Sequence, residues 1–290
     1  MQYRHSFHAG NFADVHKHIA LLQLIESLRR KAKGFLFLDT HAGEGLYDLA
    51  EPDARHSAES EAGIRKLEAA VARRTAGDLH AAIRLYLDAV EQVRHAHGNA
   101  RHLYPGSPLL AASRLREVDQ VICVETQPQT ARALQRAFER NPALLATAPR
   151  VLSGDGYHEV KSLLPPALRR GLVLIDPPYE SADEEQQVAA TLRAALERFE
   201  TGVYAVWYPI KKQHDCDLWL ARITRGIERP TLAVEMCLSP PDHAAGLNGS
   251  GMLVVNPPWQ FDSEARQWQE ELHQLLGGNA GGSVRWLVHE

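Results

Sequence analysis

The stretch GLVLIDPPYE, Gly171 to Glu180, ends an apolar run in an acid, two prolines and an aromatic ring. A strand that stops in Asp176-Pro177-Pro178-Tyr179 sets a carboxylate, a rigid backbone carbonyl and a ring face side by side. Together these groups suit the holding of an exocyclic amine on a heteroaromatic base. The lone pair of such a nitrogen is delocalised into its ring. Asp176 can accept one N–H and the Pro177 carbonyl the other. That pair turns the nitrogen towards tetrahedral geometry and aims its lone pair at an electrophile. Tyr179 offers a face on which an extruded base can stack. An in-line displacement then draws on proximity and fixed acceptors, not on a strong base.

Acids close three earlier apolar runs as well. FLFLD ends in Asp39 and runs on as Thr40, His41, Ala42, Gly43, Glu44, Gly45; QVICVE ends in Glu125; RVLSGD ends in Asp155, followed by Gly156. Four acids at successive strand ends are poorly explained by packing, because a buried carboxylate needs partners. In open parallel sheets ligands sit at such carboxyl ends, near the point where strand order reverses. Gly43 and Gly45 permit close backbone approach. The loop lacks the GxGxxG pattern and the Lys-Ser/Thr of a phosphate loop. Glu125 can accept both hydroxyls of a ribose, and Asp155 with Gly156 can face an adenine amino group. This is the layout of a Rossmann-like S-adenosylmethionine site, whose cofactor carries no pyrophosphate.

A second corner, NPPW at 256–259, echoes the first. It follows a late strand, far from the other acids, and no helix start directly follows it. It reads as a turn or a contact to the substrate.

The elements that must position these groups alternate. Apolar Val15, Ile19, Leu22, Ile25 and Leu28 predict a helix over 13–32. Strands are expected at 35–39, 120–125, 150–155, 171–176, 202–210, 231–238 and 251–257, with a last one at 283–290. Helices are expected between most of them. The alternation implies a Rossmann-like α/β fold of class I, a mostly parallel seven-stranded sheet with an antiparallel edge strand. Residues 57–97 show helical periodicity and no strand signal. The expected division is a methyltransferase domain over 1–46 and 104–290, with a small helical subdomain inserted at 47–103.

Composition excludes little. The 290 residues are 44% apolar and 23% charged, enough for a sizeable core. A net charge of −4 argues against a surface that grips nucleic acid everywhere, and leaves room for a local basic face. Candidates are Arg29, Arg30, Lys31 and Lys33, or Arg169 and Arg170 with Lys211 and Lys212, these last four expected together near the mouth of the site. Three scattered cysteines give no disulfide framework, and the histidines show no metal-binding spacing, so no metal is expected. No run is long and apolar enough to span a bilayer, which takes roughly 20 residues.

YRHSFHAGNFADVHKH, LDTHAGEGLYDL, YPGSP, LIDPPYE, YAVWYPI and SGMLVVNPPW together resemble the RlmJ family, bacterial methyltransferases of the N6 of an adenine in 23S ribosomal RNA. The resemblance runs nearly end to end and implies more than the chemistry does. It assigns cofactor contact to His18, His41 and Ser107 beside Glu125, Asp155, Gly156 and Asp176. It makes Tyr3 an RNA contact and places His5 and Lys17 near the target base, with Asp176, Pro177 and Tyr179 as the catalytic corner. Its inserted helices match the family's helical lobe, although EPDARHSAES departs from it. The resemblance implies S-adenosyl-L-methionine as cofactor and 23S rRNA, naked or in an early assembly intermediate, as partner. The unpaired cysteines fit a reducing cytoplasm, and a monomer without membrane contact is expected. The DPPY corner alone also fits an amino-methyltransferase acting on DNA adenine or a protein glutamine. A binding module that has lost catalysis would not need Asp176 and Tyr179 intact.

Overall fold

The computed structural model describes residues 8–51, 59–74, 79–181, 183–240, 243, 246–278 and 280–289. The expected contacts Tyr3 and His5 lie outside the described residues. Along the chain come α1 (Phe12–Arg29), β1 (Leu36–Asp39), β2 (Leu46–Asp48), α2 (Glu59–Ala62), α3 (Ile64–Val71), α4 (Ala81–Ala96), β3 (Leu103–Pro105) and α5 (Ser107–Ala112). Then follow β4 (Gln120–Glu125), α6 (Pro128–Glu139), β5 (Arg150–Ser153), α7 (Gly156–Leu163), β6 (Gly171–Ile175), α8 (Glu184–Arg198), β7 (Val203–Ile210) and α9 (Gln213–Ile223). β8 (Thr231–Cys237), β9 (Gly249–Val255), α10 (Phe261–Leu275) and β10 (Gly281–Val288) close the molecule.

The main sheet has the order β10-β8-β9-β7-β6-β1-β4-β5. The stretch β5-β4-β1-β6-β7 is parallel. β9 runs antiparallel between β7 and β8, and β10 antiparallel along β8. The fold class is the expected one, with eight strands in place of seven. β10, the strand expected over 283–290, joins the sheet at an edge as the eighth. Strand order reverses between β1 and β6, so a crevice must open at their carboxyl ends.

Every residue of β6 is buried, because helices cover both faces of the sheet. One face carries α1, α5, α6 and α10. The other carries α7, α8 and α9. α1 is launched by a reciprocal cap: the Asn11 side chain accepts the Asp14 N–H at 2.8 Å, and the Asp14 carboxylate accepts the Gly10 N–H at 3.0 Å. It is buried on nearly all sides, including His16, Lys17 and His18. The two-stranded sheet of β2 and β3 was not legible in the sequence, since three-residue strands show no period.

This topology also settles where the charged candidates lie. Arg169 and Arg170 precede β6, and the Arg29–Lys33 cluster precedes β1, so both stand at the pole opposite the crevice. Arg170 is spent there on the carbonyls of Leu28 and Lys33. Of these candidates, Lys211 and Lys212, which follow β7, stand at the crevice end, and Arg169 and Arg170 do not join them there as expected, because they precede a parallel strand.

Candidate active site

The strand ends converge on a cavity of about 260 Å³ that includes Lys17, His18, His41, Ser107, Glu125 and Asp176 in its wall. β1 brings Asp39 to its edge. That buried carboxylate accepts from the Ser107 hydroxyl at 2.7 Å and from the His41 N–H at 3.2 Å. Burial pushes its pKa up to about 7; the Ser107 hydrogen bond opposes the rise, and the negative charge of Asp176 adds to it. His41, next in the loop, stands 4.7 Å edge-on to the Tyr157 ring, and burial holds its pKa down at about 4. The imidazole is therefore neutral at pH 7.

The glycine loop is shaped by Glu125 and Tyr47. Glu125 accepts the Gly43 N–H at 2.9 Å and the Gln127 N–H at 2.8 Å, one on each oxygen. The Tyr47 hydroxyl accepts the Glu44 N–H. Gly43 has φ +64, and a Cβ there would come within 2.3 Å of the Tyr47 oxygen. Only glycine fits this turn. On the opposite wall, His18 Nδ1 lies 2.8 Å from the Tyr104 hydroxyl, itself 3.1 Å from that of Tyr86.

Asp176 stands between this cavity and a second one of about 180 Å³. Lys17, Asp176 and Pro178 belong to both walls. The Lys17 ammonium donates to Asp176 Oδ2 at 2.6 Å and lies 2.7 Å from Asp14 Oδ1. Burial alone would depress its pKa; the Asp14 and Asp176 carboxylates outweigh that and hold it above the usual value. Lys17 is therefore a fixed cation. The second cavity has the rings of Tyr179 and Trp207 in its wall. Tyr179 sits at φ +53, a left-handed conformation rare for tyrosine and held by its hydroxyl donating to the Trp207 carbonyl at 2.7 Å. Its ring stands 5.8 Å from that of Trp207, edge to face. The Lys17 ammonium lies 5.7 Å over the same indole.

Of the residues expected from sequence, Lys17, His18, His41, Ser107, Glu125 and Asp176 share the first cavity, and Tyr179 lines the second. Pro177 is buried at the corner itself. Asp155 and Gly156 do not reach either wall. Asp155 is exposed and caps α7 through the Tyr157 N–H, while Gly156 packs against the Thr40 carbonyl. Asp14, Tyr47 and Trp207 were missed. Asp14 lies one helical turn before Lys17, a spacing that could have flagged it.

The echo corner lies at the opposite pole. β9 is antiparallel, so Val255 stands beside Tyr204, at the start of β7. Asn256 spends its amide on the carbonyls of Glu200 and Gly202, at 2.8 and 2.7 Å. α10 begins at Phe261, sooner after NPPW than expected; Gln260 makes the turn at φ +65.

A family model described as ribosomal RNA large subunit methyltransferase D, RlmJ, matches residues 32–288. Over the full length of both chains, the sequence is 37% identical to ribosomal RNA large subunit methyltransferase J of Escherichia coli (strain K12). The chain belongs to the RlmJ family. The RlmJ protein of Haemophilus influenzae is 36% identical, again over 100% of both chains. A crystal structure of a Legionella pneumophila protein, 30% identical, superposes with a TM-score of 0.84 and covers 98% of this chain and 99% of that one. The full-length RlmJ matches take in α1, which the family model leaves out. That helix carries Asp14, Lys17 and His18.

Proposed function

We propose that this RlmJ chain transfers the methyl group of S-adenosyl-L-methionine to the exocyclic N6 of one adenine in 23S ribosomal RNA. The observation that carries the reading is the pair of cavities meeting at Lys17, Asp176 and Pro178. One cavity has the donor set for a nucleoside cofactor, and the other has the aromatic walls for a base.

The residues present fit the cofactor. Each Glu125 oxygen already accepts one N–H and keeps a lone pair for a ribose hydroxyl. The loop at Gly43 brings backbone against the cavity without a phosphate cradle. S-adenosylmethionine supplies a methyl group on an electrophilic sulfonium. The roles of the side chains follow from their geometry. Asp176 Oδ2 is held by Lys17, which leaves Oδ1 to accept one amine N–H; the Pro177 carbonyl accepts the other. Lys17 is already protonated and cannot act as a base. It is a positioning residue that fixes the carboxylate and keeps it an acceptor. The proton released after transfer leaves to Asp176 or to water. Tyr179 presents a ring to the adenine, with Trp207 forming the adjacent wall.

His18, His41 and Ser107 serve the cofactor, and Asp155 and Gly156 do so only if α7 or the loop before it shifts towards the cavity. Tyr3 and His5 complete the RNA side on the family pattern. The acceptor is naked 23S rRNA or an early assembly intermediate, met by a monomer in the cytoplasm. No described helix is long and apolar enough to cross a membrane.

The test is methyl transfer from labelled S-adenosylmethionine to protein-free 23S rRNA, DNA and ribosomal protein, with wild type and Asp176→Ala. N6-methyladenine in RNA, lost in the variant, is expected. Label in DNA or on protein glutamine, or an active variant, would overturn the assignment.

A further inference from the structure

A third cavity, of about 220 Å³, lies directly beyond the second. Tyr179, Pro209 and Lys211 belong to the walls of both. The remaining wall includes Tyr208, Lys212 and Trp219. It therefore continues the proposed base pocket beyond Tyr179.

Three features give this cavity a chemistry. Trp219 is 4% exposed, and its indole Nε1 is buried with no acceptor among the described residues. A buried donor without a partner costs stability, so an acceptor that reached it would be favoured. Its ring stands 4.8 Å from Tyr208 and 6.4 Å, edge to face, from Tyr179. Lys211 and Lys212 are exposed at the rim. The corner that bears them is pinned, because Asn248 donates to the Lys211 carbonyl at 2.7 Å. Two acids also face the cavity. Glu185 is paired with Arg222 at 3.0 Å, and Asp215 follows the lysines in the first turn of α9. Among the described residues, the rim thus carries two cations against one acid without an ion-pair partner.

We propose that the third cavity binds the nucleotide next to the target adenine, an inference that rests on the second cavity holding that adenine. The neighbouring base lies on the Tyr179 ring, and a rotation of the Trp219 indole is needed to bring its buried Nε1 to a carbonyl or ring nitrogen of that base. Its phosphate is met by Lys211 and Lys212. Tyr179 then parts two successive nucleotides, with the target on one side and its neighbour on the other. This subsite gives a chain of net charge −4 a local grip on RNA at a rim that carries two lysines.

The test uses a 23S rRNA stem-loop transcript that wild type methylates, and two copies with an abasic site on either side of the modified adenine. Trp219→Phe removes the N–H and keeps a ring; Lys211→Ala with Lys212→Ala removes the rim charge. On the intact transcript Trp219→Phe should raise KM about tenfold, with kcat and S-adenosylhomocysteine affinity retained. On one of the two abasic transcripts it should match wild type. The lysine pair should raise KM on all three transcripts and flatten its salt dependence. An unchanged KM, or an equal penalty on the intact and both abasic RNAs, overturns the subsite and leaves the methyltransferase reading standing. If wild type methylates no RNA at all, the parent reading falls and the subsite with it.

Discussion

Lys17 is a buried cation held between two carboxylates, and that arrangement decides what its loss would do. Removing one member of a buried ion network strands the others, typically at about 3–5 kcal/mol. Lys17→Met should therefore lower the unfolding free energy by that order and cut methyl transfer by 100-fold or more. Adding Asp14→Asn should restore part of the stability and none of the rate, because Asp176 would still lack its anchor. Recovery of rate in the double variant would show that Lys17 matters only for folding. Asp39 gives a pH signature. Its pKa is about 7 in the folded chain, against roughly 3.9 when unfolded. A raised acid favours the folded state fully below the unfolded value, and that contribution fades as pH climbs through 7. Without cofactor, the melting temperature of wild type should fall from pH 4 to pH 8 more steeply than that of Asp39→Asn. Parallel curves would refute the assignment. Sequence alone exposed Asp176, Glu125 and the glycine turn, because acids after apolar runs are visible without coordinates. It could not show that Asp155 turns outward to cap α7, since strand-end position does not fix the direction of a side chain.

At the level of elements, the site exists because the ends of β1, β4 and β6 are brought close, and single atoms set how close. Gly156 opens α7 against the end of β1, and a Cβ there would sit 2.0 Å from the Thr40 carbonyl oxygen. The atom struck is backbone, so it cannot yield cheaply. Gly156→Ala should cost about 1–3 kcal/mol in denaturant unfolding and weaken S-adenosylhomocysteine binding, as the loop beside His41 is pushed away. Unaltered stability would mean that the loop moves freely. The two proline corners part company for a similar reason. Asp176 ends a parallel strand in the crevice, whereas Asn256 ends an antiparallel strand and ties Glu200 and Gly202 at the other pole. Asn256→Ala should lose about 1–3 kcal/mol from two hydrogen bonds and a left-handed backbone, with kcat for methyl transfer kept within twofold. A collapse of kcat in a folded protein would make NPPW catalytic after all. The strands and most helices were legible from apolar runs and helical spacing. The order of the strands was not, and that order separates the two corners.

For the molecule as a whole, the helices between β2 and β3 are more than an appendage. Ile64, Leu67, Ile83, Tyr86 and Val90 share one buried cluster with Val15, Ile19 and Leu22 of α1 and Trp268 of α10. Glu59 accepts from Asn11 at 2.9 Å and lies 2.9 Å from His8 Nδ1. The Ile64 N–H donates to the Gly10 carbonyl, and a Cβ on Gly63 would strike that same oxygen. Glu271 of α10 accepts from the His80 N–H at 2.8 Å and from Arg74. Through Tyr86 and Tyr104 the lobe reaches His18 in the first cavity. The lobe therefore holds the turn that launches α1, and α1 holds Lys17 against Asp176. An insertion that only read RNA would leave the catalytic core able to bind cofactor without it. Sharing a core predicts otherwise. Replacing residues 50–101 by a short Gly-Ser linker between the paired ends of β2 and β3 should strip α1 of one side of its packing. S-adenosylhomocysteine binding by calorimetry should disappear, and the sharp thermal transition with it, since the exposed face of α1 is apolar. A shortened chain that melts cooperatively and binds S-adenosylhomocysteine with wild-type affinity would show that the lobe is an independent module and that α1 finds its place without it.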